Sequence, residues 1–471
     1  MHYDIIIIGG GAAGLMAAVG AGRAGGKQGT GGKQAGGAEN SKERLRILVL
    51  EKMPRPGRKI VITGKGRCNF TNMKDWASFS PHVRANSNLL RPAFYNLTPE
   101  ALADFFRSEG LEVDIERGDR AFPHSHKSMD VVDTLYNAAI RSGATVRTGS
   151  EVGQIGFEEE FGERLFAVTC TDGSEFSASR LILATGGLSY PSTGSTGDGY
   201  RFAKEMGMEI KNCFPSLTAL VPKGYKLTGN NPEEGRSSQT HIDRSCELSA
   251  LGTALCGIQL KNVGLALKVN GNQVQEAEGD LDFTDGGIEG PIGFAVSRNA
   301  VKAMINGGKV SLGINLKPGV DKAELTARIN GLWKEIKSDP RSKGKSERQA
   351  GKILLGKLMP WELVQGFLKC NPSVFSGKNG RETLKLNSLV NSLTDWTFDL
   401  EGHVGYERCV ITAGGVSGEE IIPKTMESRK VKGLYVCGEL LDIDADTGGY
   451  NLHIAFSTGF LAGQSAAKSL R

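Results

Sequence analysis

The sequence predicts an α/β protein whose parallel-sheet domain is assembled from the two ends of the chain, with a β-rich and then a helical stretch inserted between them. Three observations carry this. The β-branched run Tyr3–Ile8 leads directly into Gly9-x-Gly11-x-x-Gly14 and the alanine-rich segment Leu15–Ala21. A strand feeding a glycine turn and then a helix is the context that a dinucleotide fingerprint requires. A second apolar run, Ile47–Leu50, ends on the carboxylate of Glu51. After a long middle section of different patterning, a strand at Leu434–Cys437 delivers Glu439, and the chain closes in a helix over Asn451–Leu470. At 471 residues the chain is too long for one ordinary core, so two or three domains are expected.

The elements follow in order. Gly22–Glu43 is rich in Gly, Lys and Gln, without periodicity or large apolar side chains, and reads as a flexible, solvated insertion spanning about 22–45. Thr98–Ser108 reads as a helix, with Thr98 as N-cap and Pro99 in the first turn. Ser128–Arg141 reads as a second, with Val131, Val132, Leu135 and Ala138–Ile140 on one side. Val146–Val152, Phe166–Cys170 and Arg180–Ala184 read as strands. From about Asn212 to Leu316 short alternating segments separated by Gly, Asn and Pro indicate a mostly β module. Asp321–Phe367 turns helical, broken at Ser338–Arg348. The expected plan is a nucleotide domain over 1–200, a β-rich substrate domain over 201–320, a helical subdomain over 321–384, and the rest of the nucleotide domain over 385–471.

Composition narrows the function classes. Hydrophobic residues make up 39% and charged residues 23%, as in a soluble globular protein. The 64 glycines are about twice the average share, which suits close backbone approach to a ligand and flexible insertions alike. Of the net charge of +5, an excess of four lies between Gly22 and Arg46. The remainder reads as close to neutral, and no nucleic-acid partner is expected on that ground. The 8 cysteines show no C-x-x-C pair and no metal-ligand spacing, so neither a metal nor a disulfide framework is expected. No apolar run reaches about 18 residues and the chain opens directly on a strand, so no membrane association and a cytoplasmic location are expected.

Each glycine of the fingerprint has a task. Gly9 permits the tight turn, Gly11 lets backbone approach a pyrophosphate, and Gly14 lets the helix pack close to the sheet. The N–H groups at the helix start favour anionic phosphates. Glu51, at the end of the second strand, is placed to accept hydrogen bonds from ribose hydroxyls. It stands 37 residues after Gly14, farther than usual, and the Gly/Lys-rich insertion accounts for the excess. Pro56–Asn72 then alternates cations and glycines with hydrogen-bonding side chains, a loop able to neutralise phosphates and lie against a flat ring. Ala184, Thr185, Gly186 and Gly187 end a strand in small residues suited to close contact with a nucleotide.

With these residues in view, the sequence resembles the NAD(P)/FAD-dependent oxidoreductases that include aminoacetone-oxidase-type and bile-acid-reductase-type members. The matching strings are Gly9–Gly14, Gly57–Asn72 with its GRCN, Ala184–Tyr200 (ATGGLSYPSTGSTGDGY), Phe283–Pro291, Thr412–Val416 and Gly433–Gly463 with its TGGYNL. The resemblance implies a glutathione-reductase-like Rossmann FAD domain with an inserted β-barrel plus helical domain. It implies FAD contacts from Gly9, Gly11, Ala12, Ala13 and Gly14, and from Glu51 and Lys52. Arg58, Lys59, Thr63, Gly64, Arg67, Cys68 and Asn69 would lie along the cofactor, and Val152 would offer its backbone to adenine. Gly438 and Glu439 would face the ribityl or phosphate side. Gly448, Gly449, Tyr450, Asn451 and Leu452 would point at the flavin pyrimidine edge, where a helix N-terminus stabilises the charge that reduction creates.

Departures from the family pattern are informative. This chain has His453 where Gln is usual, Asp285 where His is usual, and Lys65 where Gly is common. His453 is therefore the candidate catalytic acid or base, against the plainer reading of a hydrogen-bonding side chain at a helix start. The implied activity is flavin-dependent oxidoreduction of a small organic substrate, either NAD(P)H-linked reduction of a ketone or enone or oxidation of a small amine such as an aminoketone. Thr412–Val416 followed by Gly433–Glu439 also resembles fumarate-reductase flavoproteins, which favours the reductase. An FAD protein acting on RNA is a remoter alternative. No second G-x-G-x-x-G occurs mid-chain, so a dedicated nicotinamide domain is not expected.

Overall fold

The computed structural model describes residues 1–25, 44–160, 163–227, 240–243, 245–377 and 382–471. The chain forms two compact units, one of Met1–Phe214 with Ile411–Arg471 and one of Pro215–Val410.

In the first unit, β1 (His2–Ile8) lies between β2 (Ile47–Leu50) and the strand Glu175–Leu183, parallel to both. Ala144–Arg147 extends the sheet beyond β2, and Leu434–Val436 beyond Glu175–Leu183, again in parallel. Ile5–Ile8 and Ile47–Leu50 are all buried, which is why both segments read as unbroken apolar runs: a parallel strand is covered on both faces. Helix α1 (Ala12–Gly25) and the closing helix Tyr450–Lys468 pack against each other through glycines. A Cβ on Gly459 would come within 2.2 Å of the Ala13 carbonyl oxygen, one on Gly463 within 2.0 Å of that of Ala17, and one on Gly20 within 2.4 Å of that of Phe460. The two ends of the sequence thus share one core.

Two local readings are corrected here. Helix α1 continues to Gly25, with Arg23 2.7 Å from Glu109 and Gly25 against Leu45, so the ordered helix includes the first residues assigned to the 22–45 insertion. The rest of that insertion, 26–43, lies outside the described residues. The single strand expected over Val146–Val152 is two, Ala144–Arg147 and Val152–Glu160, because Gly149 turns the chain at φ 65°. The helices over Pro99–Ser108 and Ser128–Arg141 form where expected, and Thr98 Oγ1 accepts from the Ala101 N–H at 3.2 Å.

The second unit contains a closed six-stranded barrel of Leu220–Pro222, Gln259–Val269, Asn272–Thr284, Gly287–Glu289, Val310–Asn315 and Trp396–His403. Phe283, Trp396 and Phe398 pack together in it, the last two with centroids 4.8 Å apart. The helix Gly290–Ile305 interrupts the stretch read as mostly β. It opens on Pro291 and buries Ile292, Val296, Ala300 and Met304, a 3.6-residue period hidden among short strands. Helices Lys322–Ser338, Glu347–Leu358, Trp361–Cys370 and Leu386–Thr394 complete the unit. Because Trp396–His403 closes the barrel, the units divide after Phe214 and Val410, later in the chain than the boundaries drawn from the sequence.

Candidate cofactor site

The glycine turn is built as its spacing demands. Gly9 adopts φ 103°, and a Cβ there would sit 2.5 Å from the Ala184 carbonyl oxygen. On Gly14 a Cβ would meet the Gly9 carbonyl oxygen at 1.8 Å. Gly11 differs: a Cβ would meet nothing within 4 Å. Two glycines are sealed against protein, while the third opens on a space a ligand can fill. That space lies beside the start of α1, at Ala12 and Ala13.

Glu51 closes the far side of the turn. Its carboxylate accepts from the Gly10 N–H at 2.7 Å and from the Met53 N–H at 2.8 Å, leaving each oxygen a second lone pair for a hydroxyl. Burial raises its pKa above the ordinary carboxylate value, and the two backbone N–H groups work against that rise. The Glu51 carbonyl accepts from the Ser150 N–H at 2.9 Å, which brings the chain leading into Val152 alongside. Lys52 is turned away from the glycine turn. Its Nζ lies 2.6 Å from Asp198 and 2.5 Å from Thr196 Oγ1, which ties the GSTGDGY loop to the end of β2.

A polar cluster fixes the next layer. Lys59 pairs with Glu439 and Ser189; Glu439 in turn accepts from Ser189 and from the Thr412 N–H. Thr412 Oγ1 accepts from the Leu188 and Ser189 N–H groups at 2.8 and 3.1 Å. A Cβ on Gly187 would meet that hydroxyl at 2.6 Å. Gly199 is pressed against Thr185 and Gly186 against Ser195 in the same way, while Gly438 lies on the Ala13 methyl. Ser189, Thr196, Asp198 and Thr412 were not singled out as site residues from the sequence, although three of the expected ones lean on them. They lie inside the quoted strings, and only the fold shows their hydroxyls and carboxylate turned to Lys52, Lys59 and Glu439.

The Gly57–Asn72 segment divides. Arg58 is exposed on a short helix whose N-cap, Gly57, donates to the Gly10 carbonyl at 2.9 Å. Thr63 Oγ1 donates to the Ile60 carbonyl at 2.6 Å, Gly64 adopts φ 56°, and Arg67 lies over Phe122 while pairing with Glu116. Cys68 is buried and its thiol is pushed up to about 12, so it is not a nucleophile. Asn69 is the informative member. Its Oδ1 is buried without a hydrogen-bond partner, and a Cβ on Gly449 would stand 2.8 Å from it.

Gly448 and Gly449, at φ 121° and 96°, open the closing helix in left-handed conformations. The residues after them have structural work. Tyr450 stacks on His82 at 4.4 Å, and the Asn451 amide clamps the backbone of Ala445 and Asp446. Leu452 is half-buried against the core. His453 has no exposed surface. Its Nδ1 lies 2.9 Å from Thr71 Oγ1, its Nε2 has no partner, and Phe79 and Phe94 flank the ring at 5.3 Å each. Burial lowers its pKa to about 3, so the imidazole is neutral across the physiological range. That environment fits a packing and hydrogen-bonding residue better than a proton donor.

These features fit FAD: a cradle at Gly11 that a Cβ would fill, a carboxylate with spare acceptor capacity at Glu51, and an orphaned buried acceptor at Asn69 beside a helix N-terminus. Asn69→Ala is expected to raise the thermal midpoint of the apoprotein slightly, because it removes a buried acceptor without a donor. The same change should weaken FAD retention about tenfold, the worth of one hydrogen bond to a polar ligand group. Differential scanning fluorimetry with and without FAD reads both. Among the described residues no helix is long and apolar enough to cross a membrane, and no His, Cys, Asp or Glu group could hold a metal ion.

Comparison with known proteins follows the same lines. The chain is 28% identical over 464 residues to a 3-dehydro-bile acid delta(4,6)-reductase of Clostridium scindens, covering 98% of each. It is 29% identical to a ribosomal RNA dihydrouridine synthase of Escherichia coli and 27% to one of Haemophilus influenzae, covering 99% of each chain in both cases. The expectation of no nucleic-acid partner therefore meets two relatives named for work on RNA. Residues 3–465 match the HI0933-like protein Rossmann domain, and with the fingerprint, the carboxylate and the closing helix in place the chain belongs to that family of FAD-dependent oxidoreductases.

Proposed function

We infer that this protein is an NAD(P)H-linked reductase of a carbon–carbon double bond conjugated to a carbonyl group. The observation that carries the reading is the entry to the closing helix, where two left-handed glycines start the helix beside the buried Asn69 Oδ1, an acceptor that no protein donor satisfies. A helix N-terminus there favours negative charge, and so favours the reduced form of a ring whose pyrimidine edge it faces. Bound FAD supplies a two-electron carrier able to take hydride from a nicotinamide and pass it to carbon. The relatives' names support the choice of acceptor: a Δ4 bond beside a 3-oxo group and the uracil 5,6 bond are both conjugated to a carbonyl.

The residues divide the labour. Gly11 and the start of α1 receive the pyrophosphate, Glu51 the ribose, and the Lys59–Glu439–Ser189–Thr412 cluster holds the middle of the site rigid. His453 supports Thr71 beneath the helix entry. An anaerobic titration with NADH and then NADPH tests the proposal. Bleaching of the flavin by either nucleotide, and its return on adding a cyclic enone or uridine, is the expected result. A flavin bleached only by a small amine and recoloured by oxygen would replace the reductase with an oxidase.

A further inference from the structure

The sequence leaves the body of the chain apparently neutral, but its charge is concentrated in one place. Lys322–Leu358 holds ten lysines and arginines against four acidic residues, a net of +6 where the whole chain carries +5. The fold turns this excess outward. In the helix Lys322–Ser338 the buried stripe is Leu325, Ile329 and Ile336, and at 3.6 residues per turn Lys334 falls on the opposite side. The helix Glu347–Leu358 buries Ala350, Leu354, Leu355 and Leu358 and leaves Lys352 outward. Lys343 and Lys345, exposed on the connection between the helices, continue the surface. Among the described residues Lys334, Lys343 and Lys352 form no ion pair with a carboxylate, and Lys345 shares Asp339 with Arg341; of the acids nearby Asp339 pairs with Arg341 and Glu335 with Lys357, while Glu324 and Glu362 stay exposed.

Aromatic surface accompanies the cations. Lys337 Nζ stands 4.9 Å above the Trp333 ring. Trp361 is 61% exposed, and its ring lies across Gly356, where a Cβ would meet it at 2.8 Å. Gly356 is on the outward side of the Glu347–Leu358 helix, so a flat, exposed ring sits on the cationic face. A membrane surface would ask for an apolar stripe, and Trp361 is the one strongly exposed large hydrophobic residue in these three helices among the described residues. Cations spaced along a face, interleaved with a ring on which a base can stack, match a phosphate backbone carrying unpaired bases.

We propose that this helical face docks RNA, its lysines following the phosphates and Trp361 stacking on an unpaired base. The surface lies within the second unit and goes beyond the reaction inferred above. The test uses the flavin-loaded protein, a fluorescein-labelled RNA stem–loop and fluorescence anisotropy across a potassium chloride series. Replacing Lys334, Lys343 and Lys345 together by Ala should lower affinity at least about tenfold at low salt. It should also flatten the slope of log affinity against log salt by about 2, as loss of three phosphate contacts requires. Trp361→Ala should lower affinity about fivefold or more with little change of slope. Undetectable binding at low salt, unchanged binding by the lysine variant, or preference for phosphatidylserine vesicles over RNA would overturn the assignment. Reduction of the flavin by nucleotide in the same samples reports separately on the reductase reading.

Discussion

Gly11→Ala is expected to leave the apoprotein as stable as the parent and to weaken FAD binding about 10- to 100-fold. The new methyl meets no protein atom within 4 Å, and an alanine beside a helix start costs nothing in backbone conformation. In the complex it would occupy the space left for the pyrophosphate, and overpacking of that kind costs about 1–3 kcal/mol. Gly14→Ala is the contrast. Its methyl would sit 1.8 Å from the Gly9 carbonyl oxygen, so turn and helix must separate whether or not cofactor is present. Thermal unfolding of the apoproteins and flavin fluorescence on dilution distinguish the two. Equal loss of fold in both variants would remove Gly11 from the cofactor site.

The second large effect is acid sensitivity from two buried histidines. His453 has its pKa depressed to about 3 and His403, in the barrel, to about 4, both by burial. In the unfolded chain each titrates near 6.5. Between these values the unfolded chain binds protons that the folded protein does not, so the stabilisation is complete above about pH 6.5 and is lost as pH falls toward 3–4. Each histidine should then cost about 2 kcal/mol between pH 7 and pH 5. His453→Gln, which restores the residue usual in the family, should keep the fold and make the midpoint of thermal unfolding fall less steeply over that range. A variant with parental pH dependence would show that His453 does not contribute to it. Turnover that survives the substitution would fit its buried, neutral setting; a loss of about two orders of magnitude would make it catalytic after all.

The parts of the fold legible in the sequence were those with a short-range signature. Tyr3–Gly14 and Ile47–Glu51 announce strands, turn and carboxylate by local pattern, and Thr98 with Pro99 announces a helix start. The alternation alone showed a β module, and its closure into a barrel was legible only through the family resemblance, since closure depends on Trp396–His403 returning to pair with Leu220–Pro222. The helix Gly290–Ile305 was lost among strands because its flanks are glycine-rich on both sides. At the site, residue types were legible and partners were not. Lys59 read as a cation for phosphate and Lys52 as an implied cofactor contact, yet each is held by a carboxylate and a hydroxyl far along the chain. His453 read as a titrating group because a sequence does not show Phe79 and Phe94 closing around it. The charge of Lys322–Leu358 was present in the sequence throughout; its outward orientation needed the helices.

The glycine contacts between α1 and the closing helix bear on how the protein is made. During synthesis β1 and the fingerprint emerge long before Gly459 and Gly463, the residues that cover Ala13 and Ala17. The second unit is one continuous segment, Pro215–Val410, and has all its own strands before the closing helix is made. It is therefore free to fold on the ribosome, as domains generally do, while the N-terminal sheet waits with an apolar helix face uncovered. Nascent chains stalled before Tyr450 should hold a formed barrel and an aggregation-prone N-terminal sheet, and cofactor loading must wait until the closing helix has emerged.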